Sequence, residues 1–110
     1  MTTQGGLNPY MIQQINTASP EKVILMLYDF GIRGCRTRNR ELAARVLTEL
    51  ISALNFEHHE MALRFFSLYR FALDQVHQNR FEVPLTILKG LRETWETSVL
   101  KRTRTASEEA

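Results

Sequence analysis

His58 and His59 stand side by side between Glu57 and Glu60, so metal-ligating side chains crowd together at this point. A helical metal pair needs ligands three or four positions apart on one face, and adjacent positions diverge by about 100°. No second His or Cys pair completes a set, so the sequence predicts a solvated helix start and no metal site. Cys35 is the single cysteine. A thiol nucleophile needs a base beside it, and every histidine is remote in sequence. Cys35 therefore reads as a small core residue, and one cysteine excludes an internal disulfide framework. The chain has no glycine-rich phosphate loop and no carboxylate pair isolated among apolar residues. Neither catalysis nor a cofactor is expected.

Charge offers a second kind of chemistry. The net charge is only +2, but Arg33, Arg36, Arg38 and Arg40 lie between Asp29 and Glu41 with no acid among them. Lys101, Arg102 and Arg104 form another basic cluster. Such clusters can be the electrostatic footprint of nucleic acid. They also suit a solvated loop and tail, with cations near helix C-termini. No recognition-helix signature and no interleaved aromatics accompany them, so no nucleic-acid partner is expected.

The composition is globular, 44% apolar and 24% charged over 110 residues, enough for one domain with a real core. No apolar run approaches the ~20 residues of a membrane span, so no membrane insertion is expected. The opening MTTQGGLNPY lacks the basic and apolar regions of a signal peptide. A cytoplasmic protein is the simplest expectation.

Four amphipathic helices are legible. The first begins at Ser19, with Pro20 at the first helical position and Glu21 near the positive dipole end. Gly34 and the polar run Arg36 to Arg40 should end it. The second, about 40–54, carries one apolar face of Leu42, Val46, Leu47, Leu50, Ile51 and Leu54. The third, about 57–78, carries two rows: Met61, Phe65, Leu68 and Ala72, then Ala62, Phe66, Tyr69, Leu73 and Val76. The fourth, about 82–100, has Pro84 in its first turn and a stripe of Ile87, Leu88, Leu91, Trp95 and Val99. With short connectors and no strand pattern, this predicts an all-α, antiparallel up-and-down four-helix bundle over residues 19–100. Residues 1–18 should form a flexible lid segment, able to persist only by docking. Residues 101–110 should be a disordered polar tail.

One feature exceeds what a bundle needs. Val23 to Tyr28 are six apolar residues in a row, which go all the way round a helix. An outer bundle helix requires only one apolar stripe. Ile24 or Leu25, Tyr28, Ile32 and Cys35 can serve the core, while Val23, Leu27 and Phe30 point elsewhere. Surplus apolar surface calls for a cover, either a partner or a second copy in a homodimer.

Asn8, Tyr10, Ile15, Thr17 to Glu21 and then Met26-Leu27-Tyr28-Asp29 form a register that resembles the FliS family of flagellar secretion chaperones. Leu68-Tyr69 and the closing Leu91 to Trp95 are similar to that family as well. The resemblance spans roughly residues 7–100. It implies a cytoplasmic helical bundle that binds the disordered C-terminal segment of flagellin and prevents its premature polymerisation. It also implies an N-terminal tyrosine segment that occupies part of the binding surface until the client displaces it. Carried onto this chain, Leu7 and Tyr10 would belong to the lid. Ile24, Leu27 and Tyr28 would line the surface beneath, and Ile15, Val23 and Phe30 would complete the client-binding set. A related adaptor for another flagellar export or regulatory protein is the alternative.

The chain departs from the family at Phe30-Gly31, where Gly-Ala is usual, and in two shorter connections that would share one end of the bundle. The energetics suit a guest polypeptide. Ordering a thirty-residue segment costs ~30–60 kcal/mol. At ~25 cal/mol per Å² this calls for apolar burial on the order of 1,200–2,400 Å², an area that grooves can supply and one pocket cannot.

Overall fold

The computed structural model describes residues 6–57 and 59–109, with side chains through residue 98. These residues form helices α1 (Pro9–Thr17), α2 (Pro20–Arg36), α3 (Arg40–Ser52), α4 (His59–His77) and α5 (Glu82–Glu109), and no strand element. The segment expected to dock without being an independent helix is thus a helix of its own. Its start is capped, the Met11 N–H donating to Asn8 Oδ1 at 2.9 Å, with Pro9 at the first helical position. Leu7 and Met11 are sunk into the core, each 4% exposed.

α2 begins where expected, with Pro20 and Glu21 in its first turn. Ser19 takes the cap backbone conformation, but its hydroxyl makes no capping bond. Gly34 does not stop the helix, which runs on to Arg36. Its role is close approach instead: a Cβ on Gly34 would lie 2.9 Å from the Ala43 backbone nitrogen of α3. The true ends of α2 and α4 share one geometry. Arg38 (φ 54) and Asn79 (φ 59) adopt the left-handed conformation just past each helix. The next N–H then reaches back, Asn39 to the Gly34 carbonyl at 2.7 Å and Arg80 to the Gln75 carbonyl at 2.9 Å. Both are Schellman ends, which satisfy carbonyls the helix leaves open. Asn39 also caps α3, its Oδ1 accepting from the Leu42 N–H at 3.1 Å.

Arg38 ties the two turns together. Its guanidinium donates to the Asn79 carbonyl at 3.3 Å and lies 5.0 Å from the centre of the Phe81 ring. Arg33 similarly covers the Phe30 ring at 5.8 Å. Members of the basic cluster thus lie over buried aromatic rings.

α2 packs against α3 and α5, and α4 packs against the same two helices. Gly31 of α2 receives Val46 of α3 and Leu88 of α5, while Asp29 pairs with Arg92 and the Glu21 carbonyl accepts from the Trp95 indole. The most deeply buried side chains, Val46, Leu47, Leu50, Val76, Pro84 and Leu88, lie at the centre of this ring. Pro84 costs no backbone bond in the first turn of α5. α5 is helical as far as Glu109, where a disordered tail from residue 101 was expected. After Gly90 the sequence holds no glycine or proline to stop it. Met1 to Gly5 of the expected lid, and Ala110, lie outside the described residues.

Candidate functional site

The apolar run of α2 gives the candidate site its shape. Val23, Ile24, Leu25 and Met26 are all half-buried, so no side of this stretch is either fully covered or fully bare. α1 lies over one side. Between them is a cavity of about 340 Å³, roofed by Leu7, Ile12 and Ile15 and floored by Val23, Ile24 and Leu27. Arg45 and Glu49 of α3 edge it, paired with each other at 2.9 Å. Among the described residues, no hydrogen bond or ion pair joins α1 to another helix. Among the described residues, side-chain packing is what holds α1 itself.

A second cavity, about 580 Å³, opens on the other side of Ile24, between α2, the end of α3, the start of α4 and Trp95. Met61, Phe65 and Leu54 give it apolar walls, and both Tyr28 and Tyr69 line it. The two hydroxyls are hydrogen-bonded at 2.7 Å. Burial pushes the ionisation of both tyrosines upward, so both are neutral. A third hollow of about 430 Å³ lies by Pro20, Val23 and Trp95. Ile24 and Ala53 border all three, which joins them along the first turns of α2.

Of the residues singled out from the sequence, Leu7, Ile15, Val23, Ile24 and Leu27 come together in the covered groove, and Tyr28 in the second cavity. Leu27 is core as well, 4% exposed. Tyr10 and Phe30 need correction. Tyr10 stands outward on α1, 69% exposed, with its hydroxyl accepting from Gln14 Nε2 at 3.3 Å. It is one position off the stripe Leu7, Met11, Ile15, and 100° of rotation turns it away. Phe30 is 5% exposed, packed in the core beneath Arg33, and lines none of these cavities. Met11 and Ile12 were the missed partners of α1, and the four-residue spacing of Leu7, Met11 and Ile15 was the signal for the first. On α4 the row Ala62, Phe66, Tyr69, Leu73, Val76 is buried except at Phe66, which is 37% exposed, and the other row runs from Met61, 63% exposed, to the buried Ala72.

The remaining reactive groups are quiet. Burial pushes the Cys35 thiol up to about 11, so it stays protonated at neutral pH. Among the described residues no three His, Cys, Asp or Glu side chains are grouped to hold a metal, and His58 lies outside them. No described helix is long and apolar enough to cross a membrane. The chain matches no known family model, no curated protein and no solved structure.

Proposed function

We propose that this chain is a cytoplasmic export chaperone of the FliS type, holding the disordered C-terminal segment of flagellin in apolar grooves. One observation carries this reading: the nine-residue α1 covers an apolar trough by side-chain packing alone. A helix held in that way can be exchanged for another amphipathic segment without breaking a polar bond between α1 and its neighbours among the described residues. In the free chaperone α1 shields the trough from self-association. Its displacement lowers the apparent affinity for the guest by the fraction of time the trough is covered.

The scaffold fits an antiparallel up-and-down four-helix bundle with α1 docked outside it. Along α2, the contacts Glu21–Trp95, Asp29–Arg92 and Gly31–Leu88 run in opposite chain directions. Gly31–Val46 and Gly34–Ala43 do the same with α3. Arg38 bridges the two turns that such a topology puts at one end.

A second reading, a FliS-like adaptor for another secretion or regulatory protein, has outward-facing Tyr10 on its side, because the lid's tyrosine is not seated on the trough. Retention of the host's flagellin C-terminal segments on immobilised full-length chain separates the two. The chaperone reading expects those segments to be retained. Failure of every segment, with a different protein captured specifically, selects the adaptor.

A further inference from the structure

The buried tyrosine pair does not use up its hydrogen-bonding capacity. Each hydroxyl carries one donor proton and two acceptor lone pairs. The Tyr28–Tyr69 bond consumes one proton, and among the described residues neither hydroxyl has another partner. One O–H is therefore left over, on side chains that are each 3% exposed. Both line the 580 Å³ cavity, whose other walls include Ile24, Leu54, Met61 and Phe65. Its volume is in the range of ligand-sized pockets, and a single buried donor among apolar walls fixes orientation. The Trp95 indole N–H is already spent on the Glu21 carbonyl, so that ring offers only its apolar surface. Asn55 stands at the exposed rim, with Oδ1 accepting from the Glu57 N–H at 3.0 Å.

We infer that this cavity is a second guest subsite, taking apolar side chains together with one main-chain carbonyl that accepts the spare tyrosine proton. The inference deepens the guest-binding proposal and rests on it for the source of that carbonyl. Carbonyls inside a helix are already bonded, so the subsite selects an extended stretch of guest or the last turn of a helix. α1 roofs the other groove with helical side chains.

Two small probes test the subsite without flagellin: 4-phenylbutan-2-one, which carries a carbonyl, and butylbenzene, which does not. Trp95 is the single tryptophan, so its one indole N–H resonance reports binding at the second cavity or the adjoining hollow, and contacts from the probe to the tyrosine rings tell the two apart. The full-length chain should bind both probes. Tyr28→Phe and Tyr69→Phe each leave one unpaired hydroxyl, so each should hold the ketone within about twofold of the unmodified chain. The double variant has no donor and should bind the ketone about tenfold more weakly, with butylbenzene unchanged. Asn55 is intact throughout, so a rim contact cannot produce that pattern. Should the double variant fail to fold, the unmodified chain still decides: nuclear Overhauser contacts from the ketone methyl to both tyrosine rings are required. Absent contacts, or a double variant that holds the ketone unchanged, overturn the subsite. Ketone binding without retention of any flagellin segment would keep the subsite and remove the flagellin reading.

Discussion

The hydroxyl of Tyr28 on α2 lies 2.7 Å from that of Tyr69 on α4, joining two helices that are not among the neighbouring pairs of the bundle. The bond crosses the interior, so each partner depends on the other. Tyr28→Phe or Tyr69→Phe alone leaves a buried hydroxyl unpartnered and should cost about 1–3 kcal/mol in urea unfolding. Removing both replaces a polar pair by apolar groups of the same shape. The double variant should cost clearly less than the sum of the singles, and additive costs would mean that the pair is not coupled.

Gly34 and Gly90 should respond oppositely to alanine. At Gly34 the new methyl would press on the Ala43 backbone, which cannot swing aside as a side chain can. Gly34→Ala should destabilise by about 1–3 kcal/mol despite the better helix propensity. At Gly90, exposed within α5, nothing lies within 4 Å of the added atom. Gly90→Ala should stabilise by about 0.5–1 kcal/mol, read as a higher urea midpoint.

Alkaline pH should weaken the fold in steps. The Cys35 thiol has its ordinary value of 9.0 raised to about 11 by burial. Above pH 9 the unfolded chain releases that proton and the folded chain keeps it, so stability falls as pH rises towards 11. The loss should be on the order of 2 kcal/mol for this group. The raised tyrosines add a further decline above pH 10 with the same sign. Urea midpoints between pH 8 and 11 should show the first step in the unmodified chain and not in Cys35→Ala.

Substitutions around α1 should separate lid from core. Tyr10→Ala removes an exposed ring and should change stability by less than about 0.5 kcal/mol. Met11→Ala removes a buried anchor of α1 and should raise amide exchange across Pro9–Thr17 while leaving α3 protected. Leu27→Asp places a charge in the core and should unfold the chain. Val23→Asp, at a half-buried position, should leave a folded protein with an impaired trough.

The helices were legible in the sequence wherever one face dominates. Of the α3 stripe, Leu42, Val46, Leu47 and Leu50 are buried as the spacing required, and Ile51 and Leu54 are half-buried. Gly34 was misread because a glycine near a helix end satisfies two opposite rules, stopping a helix and admitting a neighbour. Only the position of Ala43 decides between them. Phe30 was misassigned for a related reason. Periodicity separates two stripes on α2, but α2 is flanked by α3 and α5, and both stripes are covered beyond Leu27. The second cavity was not foreseeable from any local pattern. It is assembled from Ile24, Leu54, Met61 and Trp95, contributed by three helices and the turn after α3, and its donor is a pair of tyrosines far apart in sequence.

Calorimetric titration of a flagellin C-terminal segment into the full-length chain, into Met11→Ala and into Val23→Asp tests guest binding most directly. The account predicts a strongly negative heat-capacity change, since apolar surface is buried as the guest orders. It also predicts tighter binding to Met11→Ala, whose lid is loosened, and loss of binding to folded Val23→Asp. Equal heats for all three proteins, or weaker binding when the lid is loosened, would contradict a covered trough awaiting a guest.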